Sequence, residues 1–161
     1  MFTVDGVRKL HRWTHRCLDA ALDHLATLPE SDYVREVPIF GFRTLRDQVV
    51  HVFNCERVWV YRLQGLPYVD RTTVEFPTAV EARRLQQEAS GGTHAYLSRL
   101  TDEKLNADTE LRFPDGGIEI RTPAFVIHHV LTHAFHHKGQ IVAICRSLGH
   151  PAPDTDLSQF E

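Results

Sequence analysis

Residues 127–140 read Ile-His-His-Val-Leu-Thr-His-Ala-Phe-His-His-Lys-Gly-Gln, and this histidine-rich run decides how the fold is interpreted. Clear helix boundaries lie on both sides of the run. Thr122 is a favourable N-cap residue and Pro123 suits the first helical position, whereas Gly149 with Pro151 close behind is a typical helix end. The pattern predicts one long helix, the last of the chain, which carries the histidines.

Two histidines of this helix are placed to hold one ion. Residues four apart lie on one face of a helix, about 6 Å apart along its axis, so His133 and His137 point the same way. His129 stands one turn earlier and Gln140 about one turn later. Zinc and similar ions usually take three or four protein ligands, so a further ligand has to come from another helix. Pairs with this spacing also occur on polar helix faces without metal, and spacing alone leaves both alternatives open.

The spacing of His133 and His137 is similar to that of the zinc-protease motif. That motif needs a glutamate directly after the first histidine as the general base. Ala134 occupies this position. The sequence therefore does not support peptide hydrolysis by that mechanism.

Three earlier segments carry apolar residues at helical spacing. Thr44, with Asp47 three residues later, resembles a capping box at the start of the second helix. Ser90-Gly91-Gly92 predicts a kink or an interruption of the third helix, because glycine is costly inside a helix. The predicted helices cover approximately residues 4–28, 44–64 and 78–100, with a loop over residues 29–42.

A small β-hairpin is predicted between the third and the last helix. Within residues 111–121, Leu111 and Phe113 alternate with polar residues, as do Ile118 and Ile120, and Pro-Asp-Gly-Gly between them is a turn signal. The predicted fold class is all-α, a four-helix bundle with a small β-hairpin before the last helix. We expect a single helical-bundle domain over residues 1–161.

The second predicted helix also has a mostly polar stripe, formed by Gln48, His51, Cys55 and Arg62. Such a stripe is a poor core seam and a better lining for a site. Because bundles commonly build metal sites from inward side chains on facing helices, His51 is the best-placed third ligand. Taken alone, a histidine of this kind is more often a core or surface residue.

Other residues with reactive side chains have simpler interpretations. Glu56, the one charged residue on the apolar stripe of the second helix, fits either a site carboxylate or a helix-to-helix salt bridge. His11 and His15 are four residues apart, but their helix gives no supporting context, so we interpret them as surface or packing residues. Cys55, Trp13 and Trp59 are interpreted as core residues. His136 is interpreted as an exposed residue.

Composition narrows the class of protein. The chain has 161 residues, of which 42% are hydrophobic and 24% charged, as is ordinary for one soluble domain. A net charge of −3 gives no basic patch for phosphates, which argues against nucleic acid as a partner. We find no membrane-spanning run and no signal peptide, and three scattered cysteines fit reduced thiols in a cytoplasm.

Three stretches carry a family resemblance. The first is Leu10-His-Arg-Trp13 with alternating apolar residues to Leu28, and the second is residues 44–51 with Trp59 after them. The third and most specific covers residues 129–141 and leads to residues 145–149 and to Pro153-Asp154. Together they resemble the DinB/YfiT-like family of four-helix-bundle metalloenzymes, over nearly the whole chain. One departure is Lys138, where the family often has arginine.

The resemblance implies a metal centre. It implies that His51, His133 and His137 bind a divalent metal ion, with water in the remaining positions. Metal-bound imidazoles usually need a hydrogen-bond partner on the other nitrogen, and His129, Gln140 or Glu56 are the candidates for this role. Three imidazoles with open positions suit zinc or nickel, and iron or copper are also compatible.

The activity implied by the resemblance is less specific. Characterised relatives use the metal to activate a low-molecular-weight thiol, so we expect a thiol-dependent transferase, or a related hydrolase-like enzyme, acting on a small molecule. The resemblance also suggests a homodimer. One alternative is a non-catalytic metal- or ligand-binding stress-response protein, and another is a purely structural bundle that binds no metal.

Overall fold

The computed structural model describes residues 1–160, and four long helices make up most of it. The helices are, in chain order, α1 (Val4–Leu25), α2 (Glu30–Tyr33), α3 (Leu45–Leu63), α4 (Ala79–Leu97), α5 (Asp102–Asn106) and α6 (Pro123–Ser147). Strands β1 (Thr109–Arg112) and β2 (Ile118–Arg121) lie between α5 and α6. Short 3₁₀ turns occur at Thr73–Glu75 and Leu157–Gln159.

The four long helices form a bundle. α1 and α3 each pack against both α4 and α6, so the helices alternate around the bundle in the order α1, α4, α3, α6. β1 pairs with β2 in antiparallel register, with Thr109 opposite Arg121 and Arg112 opposite Ile118. Leu111 of β1 is fully buried, and β1 contacts α3. The predicted fold class, a four-helix bundle with a hairpin before the last helix, is confirmed.

Side-chain caps explain where two of the helices begin. The Thr44 hydroxyl accepts a hydrogen bond from the Asp47 N–H at 2.9 Å, and the Thr122 hydroxyl accepts one from the Phe125 N–H at 3.2 Å. Each bond satisfies an N–H that has no partner within its helix. Gly149, just beyond the end of α6, has φ 86°, a left-handed conformation that glycine adopts at little cost. The predicted boundaries of the last helix are confirmed.

Other boundaries differ from the prediction. α1 ends at Leu25 rather than near residue 28, and the Thr27 hydroxyl donates to the His24 carbonyl at 2.7 Å, which satisfies one carbonyl of the last turn. The loop predicted over residues 29–42 contains the short helix α2, which is held in place by the buried Tyr33. α4 ends at Leu97 rather than at residue 100.

The predicted interruption of the third helix is wrong. α4 runs continuously through Ser90-Gly91-Gly92. Ala89 and Thr93, on either side of this segment, are 2% and 0% exposed. Their packing into the bundle offsets the cost of helical glycine, which is about 1 kcal/mol per residue.

Two apolar clusters form the core, one toward each end of the bundle. The first includes Leu18, Leu22, Val49, Phe53, Leu85, Ala134 and Ile144. The second includes Val7, Val60, Leu97, Leu105, Leu111, Ile127 and Leu131. Along α1, α3 and α4, the buried polar residues His15, Glu56 and Thr93 lie between the two clusters. On α6 the change of cluster falls between Leu131 and Ala134, which is where His133 lies.

The outer surface carries isolated apolar side chains. Val80 of α4 is exposed, as are Ile118 and Ile120 of the hairpin. Single exposed apolar residues are ordinary on protein surfaces. None of the helices within residues 1–160 combines the length and the apolar composition of a membrane span.

Candidate metal centre

Three histidines from two helices converge between α3 and α6. His51 of α3 and His133 and His137 of α6 each offer a ring nitrogen, and these three atoms lie within 4.8 Å of one another. The Nε2 atoms of His51 and His133 are 3.0 Å apart. Three nitrogens at the usual distance of about 2.0–2.1 Å from a tetrahedral zinc ion would be about 3.4 Å apart. The structure thus brings together the three residues that the family resemblance implied.

The side chain of Gln48 orients one of these rings. The His137 Nδ1–H donates to the Gln48 Oε1 at 2.7 Å, and the Gln48 Nε2 donates in turn to the Phe42 carbonyl at 2.8 Å. The second bond decides which end of the amide faces His137, so the proton of His137 is placed on Nδ1. Its Nε2 is then free to bind a cation, as in most metal-bound histidines. Gln48 is fully buried, which fixes its position.

Phe42 contributes its ring as well as its carbonyl. The ring stacks on His51 with centroids 3.9 Å apart, and its edge faces His137 at 5.7 Å. The loop before α3 therefore restricts two of the three imidazoles. Sequence reasoning missed Phe42, because it lies in a segment that was predicted only as loop.

Burial keeps all three imidazoles neutral near pH 7. Burial lowers the pKa of His51 below its usual value. Burial and, to a smaller extent, the neighbouring His137 and His51 rings lower the pKa of His133 to about 3. Burial, followed by His51 and His136, lowers the pKa of His137 to about 4. Neutral imidazole is the form that binds metal, so protons compete little for this group at neutral pH.

The donor set fits a divalent cation. Three neutral nitrogen donors suit zinc, nickel, copper or iron, whereas magnesium and calcium prefer oxygen donors. His51 and His133 are only partly buried. His51 also lines a cavity of about 340 Å³, together with Phe42, Asp47 and Asn54. A small molecule in that cavity would contact His51, one of the three proposed ligands.

The structure places the other predicted partners differently. The His129 ring lies 5.8 Å from the His133 ring and 5.2 Å from the Trp59 ring, measured between centroids. The Gln140 amide lies 3.1 Å from Nε2 of the exposed His136, and a hydrogen bond from Gln140 to His137 slightly opposes the lowering of the His137 pKa. Gln48 accepts the hydrogen bond from the second ring nitrogen of His137, which is the role predicted for His129, Gln140 or Glu56. The signal for it was its place on the polar stripe of α3, three residues before His51.

Glu56 belongs to a second buried cluster. Its carboxylate accepts hydrogen bonds from His11 Nε2 at 2.8 Å, from His15 Nε2 at 3.0 Å and from the Thr93 hydroxyl at 2.6 Å. The interpretation of His11 and His15 as possible surface residues is wrong, since they are 2% and 6% exposed. Their interpretation as packing residues is correct, and of the two alternatives for Glu56 the helix-to-helix bond is the one observed.

The charges of this cluster are mutually compensated. Burial alone would raise the pKa of Glu56, but His15 and His11 outweigh it and hold this pKa well below its usual range. Burial alone would lower the pKa of His15, but Glu56 outweighs it and raises this pKa. The ligand-type atoms of His11, His15 and Glu56 also lie within 4.8 Å of one another. Because both carboxylate oxygens already accept hydrogen bonds, we interpret the cluster as an ion pair that joins α1 to α3.

The cysteines and tryptophans are all buried or half-buried in the bundle. Cys17 and Cys145 are buried and Cys55 is half-buried, and all three are free thiols. Burial raises the pKa of Cys55 to about 12, which agrees with its interpretation as core filler rather than as a nucleophile. Trp13 and Trp59 are half-buried, and His136 is exposed as predicted.

A bundle of four long helices with three histidines converging between two of them defines a class of helical-bundle proteins with a candidate centre for a divalent cation. The sequence profile of the DinB family matches residues 1–161, and the chain belongs to this family. The resemblance inferred from the three sequence stretches is confirmed.

Individual relatives agree with this assignment. The chain is 23% identical over 162 residues to Protein DinB of Bacillus subtilis (strain 168), covering 97% of this chain and 94% of that protein. A DinB-like protein from Bacillus cereus superposes with a TM-score of 0.63 at 20% identity, covering 94% of this chain and 97% of the other. A DinB-like protein from Bacillus subtilis gives 0.65 at 15% identity, covering 92% and 98%. At these identities the structural likeness shows the fold.

Proposed function

We propose that this protein is a metal-dependent enzyme that binds one divalent cation through His51, His133 and His137 and activates a low-molecular-weight thiol for transfer to a small molecule. The observation that carries the proposal is the convergence of three neutral ring nitrogens, with His51 also lining a cavity. When bound, such a cation lowers the pKa of a thiol that coordinates it, which makes a thiolate available near neutral pH. Zinc or nickel is the proposed cation.

The protein's own residues would prepare this centre before substrate binds. Gln48 holds His137 with its Nε2 free, and the ring of Phe42 restricts His51. Side chains that are already oriented lose little entropy when ligand binds, which favours binding and reaction. In the transfer itself, the thiol loses its proton to solvent. Its sulfur then bonds to an electrophilic carbon, and the leaving group departs with the electron pair.

Turnover by the metal-loaded protein tests this proposal. We would measure the reaction of glutathione with 1-chloro-2,4-dinitrobenzene, using protein loaded with zinc or with nickel. His133→Ala removes one proposed ligand, and His128→Ala, an exposed histidine on the same helix, is the matched control. We expect turnover by the parent and by the control, and at least a hundredfold loss in His133→Ala, because removing a ligand weakens cation binding. Equal rates in all three proteins, at or near the uncatalysed rate, would contradict the proposal.

One observation favours a non-catalytic alternative, a metal- or ligand-binding stress-response protein. The three-histidine group itself contains no carboxylate, and Glu56 is occupied by His11 and His15. A group without a carboxylate of its own suits binding better than proton-transfer chemistry, and the nearest acids, Asp47 and Asp70, line the cavity beside His51 only. A large gain in thermal stability on adding zinc, combined with no turnover of any thiol and electrophile pair, would support this alternative.

A further inference from the structure

The polar stripe of α3 continues beyond the metal centre to Arg62. The Arg62 guanidinium lies against three aromatic rings, 5.1 Å from the centroid of Trp59, 5.7 Å from that of Tyr68 and 4.5 Å from that of Phe113. Such packing fixes the position of the guanidinium and removes water from its faces. The N–H groups at its edge remain available to a partner.

Arg62 has no anionic partner among the described residues. No ion pair or hydrogen bond joins it to a carboxylate within residues 1–160, and its buried Nε has no hydrogen-bond acceptor there. By contrast, Arg71 and Arg83 are both paired with carboxylates. A partly desolvated guanidinium without a partner is unfavourable, and an anionic ligand would relieve this.

Arg62 lines a cavity that is large enough for part of a small molecule. The cavity has a volume of about 510 Å³, within the usual range of about 300–1,000 Å³ for ligand sites. Tyr68 and Phe113 give it apolar walls, while Arg112 and Glu110 lie at its edge and pair with each other. Because the charge of Arg112 is offset by Glu110, Arg62 is the unneutralised cation of this cavity.

A row of side chains joins this cavity to the metal centre. From His133, the ring of His129 is 5.8 Å away, the ring of Trp59 is 5.2 Å further, and the Arg62 guanidinium is 5.1 Å beyond that. His129, Trp59 and Arg62 are all half-buried, so the row lies at the surface between α3 and α6. An extended molecule that lies along this row would contact both ends.

We infer that the Arg62 cavity binds a carboxylate of the substrate whose reacting end lies at the three-histidine centre. The inference rests on the proposed function and adds to it the class of thiol: an anionic one that carries a carboxylate at a distance from its sulfur. Arginine suits this role because its planar fork can donate two parallel hydrogen bonds to a carboxylate. Tyr68 and Phe113 would contact the uncharged part of the molecule.

Binding of three related probes to the zinc-loaded protein tests the inference. Isothermal titration calorimetry would compare glutathione, its diethyl ester, which lacks the carboxylates, and S-methylglutathione, which lacks the free thiol. Inorganic phosphate serves as a fourth probe, which shows whether any oxyanion suffices. The variants are Arg62→Gln and, as a matched control, Arg84→Gln, which changes an exposed arginine of α4. Zinc content is measured for each protein.

We expect Arg62→Gln to weaken the binding of glutathione and of S-methylglutathione at least tenfold. Binding of the diethyl ester, zinc content and the behaviour of Arg84→Gln should stay unchanged. Equal binding of glutathione by the parent and Arg62→Gln would overturn the inference, as would no binding by the parent or phosphate binding as tight as that of glutathione. If S-methylglutathione binding depends on Arg62 but no thiol is ever turned over, the proposed function fails and the carboxylate subsite stands.

Discussion

At the scale of single residues, Gln48 shows how a side chain that offers no ligand atom can set the chemistry of the centre. Its amide is held by the Phe42 carbonyl and in turn holds the proton of His137 on Nδ1. The three histidines supply the nitrogens, while Gln48 and Phe42 decide how two of the rings are turned. Metal affinity should therefore depend on residues outside the ligand set.

Gln48→Ala tests this dependence. We expect zinc affinity to fall about 10- to 100-fold, the usual cost of losing such a hydrogen-bond partner, as measured by competition with a chromophoric chelator. Gln87→Ala is the control, because Gln87 is an exposed glutamine of α4. Gln48→Glu keeps an acceptor at the same place and should retain most of the affinity. An unchanged affinity in Gln48→Ala would show that His137 needs no orientation.

The residue scale also shows what the sequence can reveal about the site. The four-residue spacing on a well-bounded helix predicted that His133 and His137 would lie together. His51 was supported mainly by the family resemblance, because its approach to α6 depends on how two helices pack. The hydrogen bond between His137 and Gln48 joins residues 89 apart in sequence, so no local sequence pattern predicts it.

At the scale of elements, a buried polar layer separates the two apolar clusters. His11 and His15 of α1 meet Glu56 of α3, and Thr93 of α4 donates to the same carboxylate. Because a shift of any of these helices would leave a buried charge without a partner, the layer favours one alignment of the three. Apolar spacing could predict the helices, but it could not predict this layer, since the residues that compensate Glu56 lie on other helices.

Glu56→Gln should destabilise the bundle in a pH-dependent way. The pKa of His15 is raised in the folded protein, so its ion pair contributes fully below about pH 6.5 and is lost as pH rises through the raised pKa. We expect a loss in unfolding free energy of about 3 kcal/mol at pH 5.5 and a smaller loss at pH 9. Urea denaturation of metal-free parent and variant at both pH values measures this. An equal loss at both would mean that His15 is not charged in the folded state.

Because α4 is continuous, one substitution within it is expected to raise the free energy of unfolding. Gly91 is exposed and helical, and a Cβ atom there would meet no other atom within 4 Å. Gly91→Ala should therefore stabilise the protein by about 0.5–1 kcal/mol. Gly149→Ala is the contrasting variant, because its φ of 86° is strained for alanine and should make that substitution destabilising. Destabilisation by Gly91→Ala, measured in urea, would show that α4 needs a glycine there.

At the scale of the whole molecule, the fold brings distant parts of the chain to one side of the bundle. α3 and α6 supply the three histidines, the loop before α3 supplies Phe42, and the hairpin supplies Phe113 beside Arg62. Helix order and the hairpin were predictable from caps, apolar spacing and turn residues. The cavities were not, because they form where loops and the hairpin meet the bundle.

Metal content of the purified protein tests the central claim most directly. The parent is compared with a variant in which His51, His133 and His137 are all alanine, and with a control in which the exposed His94 and His128 are both alanine. Elemental analysis after equal exposure to zinc or nickel should find about one ion per chain in the parent and control and almost none in the first variant. Equal metal content in all three proteins would contradict the three-histidine centre.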